Sequence, residues 1–272
     1  MLHLASGQFF GRTTETTRLD GLTLTDTEYI HDRVDWHYHE RPYFTFLLQG
    51  GLIEGTKKAV HQCVPGSLLF HNWQEPHYNL KPRGISRGFH VEIDHFWLQE
   101  FDLDLGDLQG DLRIQDPHIK ILFHKIFLES KQAGPEQSLA IQSLLLQVLS
   151  RLHKIPERCI GTTPVWVKRL QVHLPDLCTE PLSLTQLSQV AGVHPIHLSR
   201  AFPKYFHSSL GAYLRKLKVD RALSLMCNCD HSLSGIAHIA GFADQSHFIR
   251  CFREVMGMSP SEYRRGLASG KA

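Results

Sequence analysis

Residues 241–253 have the sequence Gly-Phe-Ala-Asp-Gln-Ser-His-Phe-Ile-Arg-Cys-Phe-Arg, which predicts a tight turn followed by a helix. Gly241 can end an upstream helix in a left-handed cap, and Asp244 can accept the free N–H groups that start the next helix. In that next helix the apolar residues fall at i, i+4, i+7 and i+8 and predict a buried stripe of Phe248, Phe252, Val255 and Met256. A helix, a tight turn and a second helix with polar outer faces are typical of a helix-turn-helix.

The same layout occurs once earlier in the chain. Gly192 precedes Gly241 by 49 residues, and Phe202 precedes Phe252 by 50 residues. Between the two copies, residues 210–226 predict one amphipathic helix. Because each copy also places an arginine two residues after an apolar anchor, the repeat indicates two helix-turn-helix units on a connecting helix.

Residues 164–265 resemble the DNA-binding domain of the AraC/XylS family of bacterial transcription regulators. The second unit carries the signature of that family in the expected order: Ile236-Ala237, Gly241-Phe242, Ser246, Phe248, Arg250, Phe252, Gly257, Ser259-Pro260 and Tyr263-Arg264. The resemblance covers more than a third of the chain. It implies a C-terminal all-α domain with an AraC-type double helix-turn-helix.

The first part of the chain has a different pattern, with short apolar runs broken by turn residues between positions 19 and 93. Strands are predicted at 43–48, 52–55, 60–63, 67–71 and 87–93, which favours a β-sandwich or barrel. Together with the pair His37 and His39 and the later Pro-Gly-Ser-Leu-Leu-Phe-His at 65–71, this region resembles the cupin-like effector domain of many AraC-type regulators. The expected fold class is α+β, with a cupin-like β-barrel and following helices before the all-α domain.

Two helices are predicted after the barrel, at 117–131 and 137–154. The second has apolar residues near a coiled-coil spacing, so it either packs only on its own barrel or also forms a dimer seam. The predicted domains are a cupin-like effector-binding and dimerisation domain at 1–155, a linker at 156–163 and the DNA-binding domain at 164–272. Residues 161–272 hold 13 Lys/Arg and 7 Asp/Glu, a net charge of +6, whereas residues 1–160 carry −4, which fits DNA binding by the C-terminal part.

The six cysteines include no CxxC pair, and the first residues lack a secretory pattern. No apolar run approaches the roughly 18 residues of a membrane span. We therefore expect a soluble protein of the reducing cytoplasm, without membrane contact.

The resemblance aligns two sets of side chains with recognition helices. These DNA-binding candidates are Ile196, Ser199 and Arg200 in the first unit, and Gln245, Ser246, Ile249, Arg250 and Arg253 in the second. Arginine can donate two bonds to a guanine edge and glutamine can pair with adenine, so Arg200, Arg250 and Gln245 are the predicted base readers. Arg253, Lys204 and the run Arg215, Lys216 and Lys218 are predicted to contact phosphate or to be solvated charges. Pro203 predicts that the first recognition helix stops near Phe202.

Aromatic and histidine side chains of the first domain predict a pocket for an organic effector, for example a sugar. The candidates are Trp36, His37, His39, Tyr43, His71, Trp73, His77 and Tyr78. A metal site on His37, His39 and His77 is an alternative, but a metal-binding cupin would place a glutamate where this chain has Tyr43 and Phe44. No metal, other cofactor or catalytic residue is therefore assigned.

The sequence as a whole predicts an effector-controlled, dimeric transcription regulator that binds promoter DNA, and RNA polymerase if it is an activator, which the family resemblance favours. It is not expected to be an enzyme. The alternatives are a metal-dependent cupin enzyme with a helical assembly domain, and an effector-independent DNA-binding protein whose barrel only dimerises.

Overall fold

The structure, a computed structural model, describes residues 2–106, 108, 111–153, 163–180, 182–228 and 231–269. The chain divides into two compact units, unit 1 at Met1–His153 and unit 2 at Lys154–Ala272. Of the predicted linker at 156–163, all but Thr163 lies outside the described residues. None of the helices in the described ranges is long and apolar enough to cross a membrane.

Unit 1 is built on two β-sheets that face each other. The strands are β1 (Leu2–Leu4), β2 (Arg12–Leu19), β3 (Leu22–Tyr29), β4 (Arg33–His39), β5 (Tyr43–Gln49), β6 (Leu52–Thr56), β7 (Val60–Cys63), β8 (Leu68–His71), β9 (His77–Leu80), β10 (Ser86–Ile93) and β11 (Asp111–Ile114). The first sheet has the order β1-β4-β9-β6-β7, and the second has the order β11-β8-β5-β10-β3-β2. The five predicted strands correspond to β5, β6, β7, β8 and β10.

Three helices accompany the sheets: α1 (His95–Glu100), α2 (Pro117–Ser130) and α3 (Gln137–His153). Phe44 and Phe46 of β5 pack on Phe123 of α2, with ring centroids 4.8 and 6.0 Å apart. Alternate residues of β5, such as Tyr43 and Thr45, face the interior of the barrel instead. The second sheet is therefore covered by α2 on one face and by the first sheet on the other.

The apolar stripe of α3 is buried inside unit 1: Ile141, Leu145, Val148, Leu149 and Leu152 have no exposed surface. Trp97 of α1 donates a hydrogen bond to Gln142 of α3, with a 3.3 Å distance between Nε1 and Oε1. Packing of α3 within its own unit therefore accounts for this stripe. A dimer seam formed by α3 stays a prediction.

A buried ion cluster joins three elements of unit 1. Asp26 on β3 is 1% exposed. It accepts two hydrogen bonds from Arg87 on β10, of 2.6 and 2.5 Å, and one of 2.7 Å from Lys131 at the end of α2. Burial alone would raise the pKa of this carboxyl, but the hydrogen bonds and charges of the two cations outweigh burial and lower it. Asp26 is thus a charged anchor between the sheet and α2.

The described residues of unit 2 form helices joined by turns and short loops. The helices are α4 (Val165–Leu177), α5 (Leu184–Ala191), α6 (Pro195–Phe206), α7 (Leu210–Asn228), α8 (Leu233–Ile239), α9 (Gln245–Met256) and α10 (Pro260–Ser269). Together with the β-rich unit 1, they confirm the predicted α+β class. The long helix α7 connects the α5–α6 pair to the α8–α9 pair and contacts α6, α8 and α9.

The prediction that α6 stops near Phe202 is wrong. The helix continues through Pro203 to Phe206, where His207 caps it in a left-handed conformation with φ of 56°. The rings of Phe202 and Phe206 stack 4.1 Å apart in the core of the first helix pair. Burial of Phe206 offsets the backbone hydrogen bond that Pro203 cannot donate, and the affected carbonyl belongs to the exposed Ser199 and can bind water.

Candidate functional sites: two helix-turn-helix surfaces and a barrel cavity

The sequence repeat is also a repeat of helix caps. Ser183 caps α5, where its hydroxyl accepts a hydrogen bond of 3.2 Å from the backbone N–H of Gln186. Ser232, 49 positions later, caps α8 in the same way, with a 3.1 Å bond from the N–H of Gly235. Because each cap satisfies a free N–H group, it fixes where its helix begins. The two helix-turn-helix units therefore begin with the same local chemistry.

The turn of the second unit needs a glycine for two reasons. Gly241 has a left-handed backbone with φ of 80°, and a β-carbon on it would lie 2.4 Å from the carbonyl oxygen of Thr179. The Lys218 ammonium donates a hydrogen bond to the Gly241 carbonyl. The carboxylate of Asp244 then accepts a 2.7 Å bond from the N–H of His247 and starts α9. Both predicted caps are confirmed, and Lys218 serves the turn instead of pointing away as a phosphate contact.

The second helix of each helix-turn-helix unit, α6 or α9, has a buried face and an exposed face. In α9, Phe248 and Phe252 have no exposed surface and Met256 is 3% exposed; in α6, Leu198 and Phe202 have none. The predicted DNA-binding residues lie outside these buried stripes. Ile196, Ser199, Arg200, Gln245, Ser246, Arg250 and Arg253 are exposed, and Ile249 is half-buried.

The basic residues near these helices differ in their surroundings. Arg215 on α7 forms an ion pair of 3.5 Å with Glu254, and the Lys204 ammonium lies 5.7 Å from the centre of the Tyr205 ring. Arg200 and Arg250 are exposed on these two helices, and contact with a base edge in a major groove requires an accessible guanidinium group. These two arginines are therefore the strongest base-reading candidates.

The interior of the barrel contains a cavity of about 30 Å³. Four of the eight predicted effector residues line it: His37, His39, Tyr43 and His77. The structure adds residues that sequence reasoning missed, namely Phe9, Phe10, Tyr29, Glu54, Lys81 and His90.

The other four predicted effector residues do not line this cavity. Trp36 and Tyr78 contact each other, with ring centroids 5.1 Å apart, on the face of the first sheet opposite to His37 and His77, because neighbouring residues of a strand point to opposite sides. Trp73 is 65% exposed between β8 and β9, and His71 is fully buried behind Tyr43, 4.5 Å from its ring.

Two phenylalanines of the N-terminal segment form part of the cavity wall. The Phe9 ring stacks on His90 at 3.6 Å, and the Phe10 ring lies 5.0 Å from His37. The segment is held by the carboxylate of Glu92, which accepts a 2.5 Å hydrogen bond from the N–H of Gly7. An organic molecule the size of a sugar therefore fits only if Phe9 and Phe10 move.

Burial disfavours the charged form of three histidines in the cavity. Burial lowers the pKa of His77 to about 3, lowers the pKa of His37, and holds the pKa of His39 well below its usual value, with neighbouring imidazoles adding to the effect at His39 and His77. A carboxylate is also buried here, since Glu54 is 2% exposed and its Oε1 lies 3.3 Å from Nε2 of His71. Two overlapping groups have metal-ligand spacing, His37–His39–His77 and Glu54–His71–His77.

Comparison with known proteins gives a match to the family described as "Helix-turn-helix domain" at residues 187–266. The transcriptional regulator GbdR of Pseudomonas aeruginosa is 28% identical over 151 residues, which cover 54% of this chain and 41% of GbdR. This chain thus spans less than half the length of that relative.

Two Escherichia coli proteins match over more of the chain. The uncharacterized regulator YijO is 25% identical over 235 residues, which cover 82% of this chain and 81% of YijO. The arabinose operon regulatory protein is 25% identical over 216 residues, which cover 75% of this chain and 73% of that protein. GbdR and YijO are named as transcriptional regulators, and the arabinose protein is named as a regulatory protein.

Proposed function

We propose that the chain is a sequence-specific DNA-binding transcriptional regulator of the AraC type, because residues 187–266 match a helix-turn-helix domain family. The observation that carries the proposal is the repeated unit in which α6 and α9 each bury one face and expose arginine on the other. Such a protein acts on promoter DNA in the cytoplasm. As an activator, it would also contact RNA polymerase.

The two exposed faces suit two successive major grooves on one side of the duplex, about one helical turn apart. Arg200 and Arg250 would each donate two hydrogen bonds to a guanine edge, and Gln245 would pair with an adenine. Ile196 is 57% exposed, and its apolar surface suits the methyl group of thymine. Arg253, one turn further along α9, would contact phosphate.

Replacing Arg250 by alanine is expected to weaken binding to the preferred sequence by about 1–3 kcal/mol, because a bidentate contact with one guanine is lost. Binding to unrelated DNA should change little. Arg253→Ala is the matched control on the same helix, and it should weaken binding to all sequences about equally. The measurement is a titration of full-length protein against specific and scrambled duplexes at fixed salt. An unchanged base preference in Arg250→Ala would exclude Arg250 as a reader.

We place control of this activity in unit 1. The cavity has aromatic walls and a few polar groups, which is the composition of a small-molecule site, and an organic effector would displace Phe9 and Phe10 from it. Such an effector regulates DNA binding only if it binds one arrangement of the protein more tightly than another. A homodimer assembled through unit 1 would give such arrangements, and the 74% exposed Leu139 at the start of α3 is an apolar contact available to it.

A further inference from the structure

We propose that the barrel cavity holds one divalent transition-metal ion, best suited to Zn²⁺, on the imidazoles of His37, His39 and His77. The inference rests on the proposed effector-sensing role of unit 1 and specifies what the cavity binds. One nitrogen of each ring lies within 4.8 Å of one nitrogen of each of the other two. The three residues are 2%, 3% and 2% exposed, so the group is enclosed by protein.

Hydrogen bonds already fix two of these rings in the form that binds a metal. Nδ1 of His37 lies 2.9 Å from the backbone oxygen of Asp35, and Nδ1 of His77 lies 3.1 Å from the backbone oxygen of Glu75. A carbonyl oxygen only accepts, so each Nδ1 carries the proton and each Nε2 carries a lone pair instead of a proton. A metal-binding histidine almost always donates its second N–H in this way.

Contacts of the other ring nitrogens agree with this assignment. Nε2 of His77 lies 3.1 Å from the Tyr43 hydroxyl, and because its Nδ1 is the donor, this Nε2 must be the acceptor. Nδ1 of His39 is buried and has no hydrogen-bond partner among the described residues. A buried polar atom without a partner is unfavourable, and a metal ion bound at this nitrogen would supply the missing partner.

The surroundings complete the site. Tetrahedral Zn²⁺ with Zn–N bonds of about 2.0–2.1 Å brings its nitrogens to about 3.4 Å from one another, so small rotations of the three imidazoles close it. Imidazole ligands bring no negative charge to the ion, and the carboxyl group of Glu54 is buried against His71 within metal-ligand reach of His77. The geometry favours three histidines as direct ligands with Glu54 beside them.

Three protein ligands leave a fourth position open, as in zinc sites that bind a further molecule. Space for water-sized groups is about 30 Å³ in this structure, which accommodates an ion or a water molecule. The class of effector that fits such a centre is a small molecule with a carboxylate or hydroxyl oxygen that occupies the fourth position.

The test uses full-length protein freed of metal with a chelator and titrated with Zn²⁺ by calorimetry and with Co²⁺ by absorption spectroscopy. We expect one ion per chain and the Co²⁺ spectrum of a four-coordinate site. His37→Gln and His39→Gln should each weaken binding by at least about 100-fold, since even losing the hydrogen-bond partner of a ligating histidine costs about 10–100-fold. Melting curves of both variants check that they fold.

His90→Gln is the matched control. His90 lies in the same cavity, but its two ring nitrogens already contact the hydroxyls of Thr25 at 3.2 Å and Tyr29 at 2.9 Å, so metal affinity should stay within a few-fold. Absence of a stoichiometric ion, or an equal loss in His90→Gln, would overturn the metal site. Sequence-specific DNA binding by the same metal-free protein would then show that the regulator proposal survives. Stoichiometric metal without any sequence-specific DNA binding would instead support the site and overturn the regulator.

Discussion

Replacing Gly241 by alanine is expected to unfold the second helix-turn-helix unit and abolish specific DNA binding, whereas the same replacement at Gly257 should be tolerated. The two glycines have the same left-handed φ of 80°, so alanine is strained equally at both, by about 1–2 kcal/mol. The two glycines differ in the space that is available for a β-carbon. The added β-carbon at Gly241 would lie 2.4 Å from the oxygen and 2.5 Å from Cα of Thr179, but nothing lies within 4 Å of it at Gly257.

A clash with backbone atoms is relieved only by moving the turn away from Thr179, which would also disturb the packing of Phe242 and Phe248, whose rings lie 5.1 Å apart. We expect a loss of more than about 3 kcal/mol for Gly241→Ala, at the level of the largest single-residue effects. Denaturant unfolding of both variants, with DNA binding measured in parallel, gives the comparison. Equal destabilisation of the two variants would contradict the role assigned to this turn.

The second large effect is expected at Asp26. Asp26→Asn keeps the shape of the side chain but removes the buried carboxylate that Arg87 and Lys131 share, and the side chains of these two cations are only 11% and 8% exposed. Lys131 keeps its contact with Glu15, which is 43% exposed. Breaking a buried ion pair on one side typically costs about 3–5 kcal/mol because an uncompensated charge remains in the interior. We therefore expect unit 1 to lose stability by that amount, measured as the free energy of unfolding in urea at neutral pH.

Glu28→Gln provides the control on the same strand. Its ion pair with Arg12 is as short, at 2.6 Å, but the two side chains are 29% and 70% exposed, and such surface pairs contribute about 0–1 kcal/mol. The low pKa of Asp26 also predicts that its contribution persists at mildly acidic pH and is lost only as the pH falls below about 4, where the unfolded carboxyl takes up a proton. A change of less than 1 kcal/mol for Asp26→Asn would refute the anchoring role.

The helix-turn-helix units could be predicted in detail because their signals are local. A capping side chain acts on an N–H group three residues away, as Asp244 does on His247, and a buried helix stripe repeats every three or four residues. Pro203 is the exception. The low tolerance of helices for an interior proline predicts that α6 ends near Phe202. The helix continues because Phe206 packs in the core, and such tertiary packing leaves no local signal in the sequence.

The barrel cavity could be predicted only in part because strand partners come from distant parts of the chain. The sequence predicts that His37, His39 and Trp36 line one pocket, but alternation along β4 directs Trp36 outward. Glu54 and His90 lie on β6 and β10, and only the pairing of strands brings them to the histidines. Glu54 therefore supplies the carboxylate that is absent at positions 43 and 44. Its place beside the histidines depends on strand pairing and cannot be predicted from residue spacing along β4.

Selection of bound duplexes from a random pool by the full-length protein tests the proposed double helix-turn-helix reader most directly. We expect an enriched site with two recognition elements centred about 10 base pairs apart, one for each unit. Affinity for this site should fall steeply with salt, because lysine and arginine contacts to phosphate release counterions. A pool that shows no enriched sequence after repeated rounds would contradict the claim that α6 and α9 read DNA.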